Sequence, residues 1–473
     1  MIPFGQVPPH SARILVIGAG IAGLSAAEHL IRNGFKNISV LEAMDRIGGR
    51  IWTGHFGSNG GDLVELGANW IHGGVSSNSF FNLTNRLALL PGKLIHLERM
   101  EGYCYRSDGR AIDKELTNRV FGLFTKWEEE EPEFDDLDSR QSLDAYLRQR
   151  LKQCLSEFKT DEWDDVRCVF NCMVNYCRFH NGGFLEHHPI PDVIGYRNSP
   201  GGNIKVPCGM EQVIHGLVQN FPPDIIKLLK VVDMIKWGDH DVQVLCKDGA
   251  EYLADHVICT MPLGYLKKYA HTTFNPILPK KKLDAIENIP FGKVNKIFLQ
   301  WEKPFWKEGL GSIKLAWNDE EKTVKHPGEW YKKIFGFDEV LNNRNVLVTW
   351  ISGDEAEYME HLSDGEILQT CAGLIRRFLN DSSIPDPVKV TPTQWCTNQY
   401  ILGSYSFRNF VVRSHHLADL REPVRQANVP KILFAGEATD SLGYSTLHGA
   451  RDSGLREAER LIAHYGLKQR SQL

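Results

Sequence analysis

The sequence predicts an α/β protein: a doubly wound, parallel-sheet domain built from separate stretches of chain, with a second, α+β domain inserted into it. Three observations predict this. A strand–glycine turn–helix–strand unit opens the chain at Arg13–Leu41. A buried strand, a Gly-Glu pair and a helix of small residues close it at 431–462. Between them run strand and helix patterns far too long for a connection, and 473 residues suffice for two or three domains or for one with a large insertion.

The opening unit reads "RILVIGAGIAGLSAAEHLIRNGFKNISVLEA". Arg13 to Ile17 is a short apolar strand. Gly18, Gly20 and Gly23 follow in G-x-G-x-x-G spacing, then a helical run ending at Asn33-Gly34, then a strand from Ile38 to Leu41 that ends in Glu42. Gly18 permits the tight turn, Gly20 carries no side chain to block a pyrophosphate, and Gly23 lets helix and strand pack closely. Ile21 and Ala22 open the helix, whose N-terminal N–H groups and dipole face the phosphates. Glu42 can accept hydrogen bonds from two ribose hydroxyls. A lone glycine triplet would be a weak sign, but here strand, turn, helix, strand and acid occur in register. The unit predicts a Rossmann-like dinucleotide site. The acid favours NAD or FAD over NADP.

"DRIGGR" follows directly, after Ala43. Gly48 and Gly49, flanked by Arg46 and Arg50, offer more N–H groups and two cations to the same pyrophosphate. The bland alternative is a basic surface turn. At the far end, "KILFAGEATDSLGYSTLHGARDSG" runs from a buried strand, Lys431 to Ala435, through Gly436-Glu437 into a helix. Gly449, Ala450, Ser453 and Gly454 let that helix approach another body closely. It continues amphipathically to Ile462, and Gly466 stops it. The last segment therefore returns to the first domain.

The middle of the chain fits an insertion. Residues 91–200 carry helical stretches and an acidic run, Glu128 to Asp138, with eight acids in eleven residues. A solvated loop explains that run better than a funnel for cations. Residues 229–260 read as a strand meander with turns at Gly238-Asp239 and Asp248-Gly249, leading to the buried strand "HVICTMP". Residues 266–395 hold the strands "NKIFLQW" and "RNVLVTWISG" and a helix from Asp364 to Leu379.

Composition excludes some classes. A net charge of −5 argues against a nucleic-acid binder. No apolar run reaches membrane-spanning length, and the N-terminal residues lack the regions of a secretory signal. The ten cysteines form no CxxC pair. Cys168, Cys172 and Cys177 beside His180 have the wrong spacing for a zinc framework, so no metal is expected. The ending Ser471-Gln472-Leu473 differs by one residue from the peroxisomal Ser-Lys-Leu address. Peroxisome or cytoplasm is the expected location, and a monomer or weak dimer the expected state.

"VELGANWIHGG", Val64 to Gly74, sets a polar His72 inside an apolar, glycine-rich run. With "GAGIAGLSAA", "LEAMDRIGGR", "VICTMPLGYLK", "FGKVNKIFLQW", "QWCTNQYILGSYSF", "LFAGEAT" and "YSTLHGA", it makes eight ordered blocks. In these the chain resembles the flavin-dependent amine oxidases of the polyamine oxidase group, over nearly its whole length. The resemblance implies a discontinuous FAD-binding domain (1–90, 201–265 and 396–473) and a substrate-binding domain with a mixed sheet and flanking helices (91–200 and 266–395). It implies FAD held by Gly18, Gly20, Ile21, Ala22, Gly23, Glu42, Ala43, Arg46, Gly48, Gly49 and Arg50. Gly67, Ala68, Asn69 and Trp70 would run against the flavin. Val232 would meet the adenine, and Trp395, Gly436, Glu437, Ser445 and Thr446 would complete the cleft. Ser404 stands where monoamine oxidases carry a flavin-linked cysteine, so noncovalent FAD is expected.

The implied reaction moves a hydride from the carbon beside a polyamine nitrogen to flavin N5. The imine is then hydrolysed, and O2 reoxidises the flavin to give H2O2. Lys296, on the apolar face of "KVNKIFL", would hold a water near N5; the bland reading is a stem lying along the core. Tyr405 would form the aromatic wall, and His72 would face the substrate. Thr446 replaces a second wall tyrosine, and Ser445 and Thr446 offer hydroxyls instead. Animal relatives place a glutamate near "NCMVNYCRFHNGG"; here Asn175 stands in that stretch, with Glu186 or Asp192 as substitutes. A neutral group there favours a neutral substrate end such as an acetamide. The alternatives are an oxidase of another amine, a flavin-binding protein without turnover, and a chromatin demethylase, for which the chain has little room.

Overall fold

The structure, a computed structural model, describes residues 10–56, 62–94, 102–129, 141–190, 200–238, 241–307, 309, 311–341 and 343–467. Most of the acidic run at 128–138, Asp192 and the Ser471–Leu473 ending lie outside the described residues.

A six-stranded sheet is built from four stretches of chain. Its order is Val424–Gln426, Val429–Phe434, His256–Cys259, Arg13–Ile17, Asn37–Leu41 and Ile226–Lys227. All neighbours are parallel except the first pair. The central strands are buried nearly throughout, as continuous apolar runs such as "RILVI" and "HVIC" require. Arg13, at the start of an interior strand, forms ion pairs with Asp255 and Asp241, each at 2.7 Å.

The helices Ile21–Arg32 and Leu447–His464 pack against each other on one face of this sheet. The contact is close because Gly454 faces Ala22: a Cβ at 454 would lie 2.0 Å from the Ala22 carbonyl oxygen. A Cβ at Gly23 would lie 2.1 Å from the Gly18 carbonyl oxygen. Ala22, Ala26, Ala27, Ala458, Leu461 and Ile462 fill the seam. The terminal helix ends as its sequence predicts, with Gly466 at φ +68°.

A second six-stranded sheet runs Lys389–Pro392, Val294–Gln300, Asn343–Ser352, Gly336–Val340, Ser312–Ala316 and Tyr103–Arg106. It is antiparallel except for its last pair, hence mixed. The helix Asp364–Leu379 covers it, started by a capping box of Ser363 and Glu366 and ended by Asn380 in the left-handed region. The strand Val294–Gln300 is buried on both faces up to Gln300. Alternation therefore does not single out Lys296, since Asn295 on the opposite face is equally covered. The helix Trp163–His180 packs its apolar side against this sheet. The meander Val232–Lys236, Val242–Cys246, Glu251–Ala254 forms a smaller sheet with Phe274–Asn275. Two short ladders complete the set: Thr53–Phe56 with Asp62–Glu65, and Ile71–His72 with Asn203–Ile204.

Two predictions follow from the packing. Gly454→Val should cost about 1–3 kcal/mol by overpacking, read as a lower urea midpoint. His256, with 1% of its surface exposed, bonds the Pro430 carbonyl and the Tyr465 hydroxyl, and burial pushes its pKa down to about 4. Its contribution is whole above the ordinary value of 6.5 and is lost as pH falls toward 4, on the order of 3 kcal/mol. His256→Asn should flatten that part of the stability–pH curve.

Candidate active site

One cavity of about 440 Å³ runs from the edge of the parallel sheet to the mixed sheet. Its first stretch is lined by Gly18, Gly20, Ile21 and Ala22, by Glu42, Ala43 and Met44, and by Lys230, Val231 and Val232. Gly20 caps the first helix without a side-chain hydrogen bond. A Cβ there would find nothing nearer than the Gly48 carbonyl oxygen at 4.0 Å, so it would project into open space. The helix N-terminus thus presents bare N–H groups to the cavity, which is an anion site. Glu42 accepts from the Ala19 and Met44 amides at 2.7 and 2.8 Å. Burial raises its pKa against those two bonds.

Gly48 and Gly49 line the middle of the cavity, both at positive φ. Arg46 does not. Its guanidinium bonds the carbonyls of Ile47, Gly49 and Ile51 and lies 4.5 Å from the Trp52 ring centroid. Arg46 was expected beside Arg50 at the pyrophosphate; in the structure it braces its own turn. Gly23 also lies off the cavity, doing the packing expected of it. Arg50 does line the cavity and donates to the Glu437 carboxylate at 3.0 Å and the Ser404 carbonyl at 2.7 Å. Gly436, at φ +127°, leaves open space where a side chain would stand. These glycines, the bare helix end and Glu42 fit a bound dinucleotide.

Gly67, Ala68, Asn69, Trp70, Trp395, Lys296 and Tyr405 line the next stretch. Lys296 is 4% exposed. Its Nζ donates to the carbonyls of Glu65 and Gly67 at 2.5 and 2.6 Å and to Asn69 Oδ1 at 2.9 Å. Three acceptors are as many as an ammonium can serve. The lysine thus clamps the 65–69 strand end, and a water would have to replace one of these acceptors. Burial drives its pKa well down, opposed by the Glu65 carboxylate and reinforced by Lys205. The Trp395 indole donates to the Leu66 carbonyl at 3.3 Å. The Tyr405 hydroxyl donates to the Phe179 carbonyl, and burial raises its pKa.

The far stretch is lined by His72, Tyr176, Phe179, His180, Asn181, His188, Trp350 and Phe407. Trp70 stacks on Trp350 at 5.4 Å and 20°, and on His180 at 6.3 Å and 26°. His188 stacks on Phe407, and burial pushes its pKa down to about 4. His72 lies on the short ladder, with Nδ1 2.7 Å from Asn203 Oδ1. Among the described residues, Glu42 and Glu437 are the only carboxylates lining the cavity, and both stand in the part shaped for the dinucleotide.

The other expected substrate-side residues are placed as follows. The Ser445 hydroxyl donates to the Ser406 carbonyl. The Thr446 hydroxyl donates to Gly443 and accepts from Gly449, capping the last helix. Both residues line the cavity with their hydroxyls already engaged. Asn175 and Glu186 do not line it; they border a separate cleft of about 320 Å³ with Arg148, Arg178 and Lys333. The Asn175 amide donates to the Lys332 carbonyl at 2.9 Å. On one helix, Tyr176, Phe179 and His180 share the cavity face, while Asn171, Asn175 and Arg178 face the other cleft. The i, i+3, i+4 spacing of 176, 179 and 180 was a readable signal for that face. Trp350 and His188 had no local signal, since long-range pairing brings them here. The described cysteines are free, and no metal-binding cluster occurs among the described residues. No described helix is long and apolar enough to cross a membrane.

Comparison with known proteins completes the picture. The sequence model of the family described as "Flavin containing amine oxidoreductase" matches residues 21–462. The chain is similar to the bovine protein named "Peroxisomal N(1)-acetyl-spermine/spermidine oxidase", at 32% identity over 97% of this chain and 96% of that one. The human protein of the same name is 32% identical, over 96% of each chain. A solved structure of putrescine oxidase bound to putrescine superposes with a TM-score of 0.69, at 22% identity, over 96% of this chain and 99% of that one. That likeness shows the fold.

The Arg50–Glu437 pair yields a prediction of its own. Arg50→Met should destabilise the protein by on the order of 3 kcal/mol, because it strands a buried charge. Adding Glu437→Gln should restore part of the loss, and the two losses in urea denaturation should not add.

Proposed function

We propose that this chain, which belongs to the flavin containing amine oxidoreductase family, oxidises N1-acetylated or free spermine and spermidine at a carbon beside nitrogen. It is an FAD-dependent amine oxidase, and its relatives carry polyamine oxidase names. The reading rests on one observation: beyond the flavin end, the cavity continues into an arm walled by Trp70, Trp350, Tyr176, Phe179 and Tyr405 that has no carboxylate among its described lining residues.

FAD, when bound, supplies the hydride acceptor at N5, and O2 serves as the final acceptor, giving H2O2. The chain's own residues bind and orient. Aromatic faces can cradle methylene groups and a positive nitrogen together, by burial and by cation–π attraction. His72 stands on the wall where an N–H of the substrate can be received. Lys296 holds Gly67 and Asn69 in place through its three bonds, so the surface against the ring system is rigid. Water is kept out by Trp70, Trp350 and Tyr405, which favours an unprotonated amine beside the reacting carbon.

An arm whose described lining residues include no carboxylate receives an uncharged end more readily than a second ammonium. The acetamide of an N1-acetylated polyamine is such an end. Noncovalent attachment is part of the proposal: the Ser404 hydroxyl donates to the Gly292 carbonyl at 2.9 Å, and serine does not form the thioether that a cysteine does. The peroxisomal names of the relatives make the peroxisome the proposed location.

A substrate panel with peroxide readout tests this reading: N1-acetylspermine, N1-acetylspermidine, spermine, spermidine and benzylamine. The acetylated forms should exceed free spermine in kcat/KM by about tenfold, the equivalent of about 1.4 kcal/mol. Peroxide from benzylamine alone would assign another amine, and no bleaching of the flavin by any amine under anaerobic conditions would leave a binding protein. Acid denaturation should release intact FAD; flavin retained on the chain would refute the noncovalent reading.

A further inference from the structure

We propose that Lys205 sets the specificity of the arm: its charge, standing behind Trp70, disfavours a second ammonium there and so selects an uncharged substrate end. The inference deepens the amine-oxidase reading and rests on it, but it is argued from groups that lie off the cavity. Lys205 follows the short strand Asn203–Ile204 and does not line the cavity. Its Nζ stands over the Trp70 ring, 5.4 Å from the centroid, and Trp70 does line the arm. An aromatic ring attracts a cation through the negative face of its π system. A ring that already receives one cation offers less to the next, and the two like charges repel.

The mixed sheet decides how far that charge is shielded. Lys296 lies opposite Trp350, Asp338 opposite Val348, and Lys314 opposite Gly336. Opposed residues share a face of the sheet, and so do alternate residues along a strand. Lys296, Trp350, Asp338 and Lys314 therefore project from one face. Glu65 and Asp338 are the two carboxylates whose charge acts on Lys205. Neither acid belongs to Lys205 alone. Glu65 also answers Lys296, the Met210 amide at 2.8 Å and the Thr53 hydroxyl at 3.0 Å. Asp338 also answers Lys314. The charge of Lys205 is thus shielded in part, and Trp70 receives the rest.

Neither Glu65 nor Asp338 lines the cavity, so neither is placed to pair with a substrate nitrogen. Their effect on the arm passes through Lys205. Burial pushes the Lys205 pKa down to about 8, against the pull of both acids. The cation is therefore present at neutral pH and is lost as pH rises through about 8. The other titratable groups about the ring are His72, His180 and Lys296. His72 and His180 each have a ring centroid 6.3 Å from that of Trp70. Lys296 Nζ stands 4.5 Å from the centroid of Trp350, on which Trp70 stacks.

Kinetics on the FAD-loaded enzyme test this, with N1-acetylspermine and spermine as the pair. Lys205→Met should raise kcat/KM for spermine about tenfold relative to N1-acetylspermine, chiefly through KM. Lys205→Arg, which keeps a cation at the ring, should hold the wild-type ratio. Asp338→Asn, which removes an acid facing Lys205, should move the ratio the other way. The wild-type and Lys205→Met ratios should converge above pH 8, where the lysine has lost its proton. Comparing the two enzymes cancels the titration of the substrates themselves. A purely structural lysine would change both substrates alike and leave the ratio flat. If Lys205→Met does not retain FAD, Lys205→Gln and Asp338→Asn decide the point. An FAD-loaded neutral variant with the wild-type ratio at neutral pH would refute the role while leaving the amine-oxidase reading intact. A wild-type enzyme that oxidises neither substrate overturns that reading, and this inference with it.

Discussion

A single buried carboxylate holds the site together. Glu437 is 4% exposed and accepts from Arg50 at 3.0 Å, from the Ser406 hydroxyl at 2.6 Å and from the Ser445 amide at 2.9 Å. Arg50 also donates to the Ser404 carbonyl at 2.7 Å. A buried charge has to be met on all sides, and an imperfect set of partners is costly. Residues 50, 404–406, 437 and 445 are remote in sequence, yet this demand draws them to one point. The cavity then passes between the glycines of the first turn and the Ser404–Phe407 segment, and both walls are set by the same carboxylate.

A second clamp works by different physics. Lys296 reaches across from the mixed sheet and bonds the strand end of the opening segment at residues 65, 67 and 69. Its head lies against Trp350, which stacks on Trp70, whose face receives Lys205. Two cations thus bracket two stacked indoles, with Glu65 as the nearby counter-charge. Burial lowers both lysine pKa values, that of Lys205 to about 8. The three acceptors of Lys296 match the three protons of an ammonium. That geometry holds the aromatic wall rigid where the substrate must align.

The parts of the molecule that were legible in the sequence are those set by local spacing. The turn at Gly18–Gly23, the acid at Glu42 and the capped helix Asp364–Leu379 each follow from short-range rules, and they occur where those rules put them. What spacing does not encode is direction. Arg46 and Arg50 flank one glycine pair, but Arg46 turns onto its own carbonyls while Arg50 reaches a residue 387 positions away. Ser445 and Thr446 are hydroxyl residues at the cavity, but the carbonyls of Ser406 and Gly443 take their protons. Asn175 differs from Tyr176 by one residue, and a 100° turn of the helix puts it in another cleft. Side chains that complete the arm, such as Trp350 and His188, arrive through strand register and loop packing, which no local pattern carries.

Charge is distributed along the cavity by the same logic. Acids appear where backbone N–H groups and an arginine can satisfy them: Glu42 at two amides, Glu437 at Arg50 and the serines. Beyond the flavin end the lining turns to indoles, phenyl rings, imidazoles and Asn181. A carboxylate placed there would attract a cation, but it would also hold that nitrogen protonated, and a protonated amine cannot release hydride from its neighbouring carbon. An arm of ring faces and neutral acceptors binds the same chain of methylenes with less bias toward the ammonium form. In such an arm, the protonation of the amine is governed by the few groups that can still titrate.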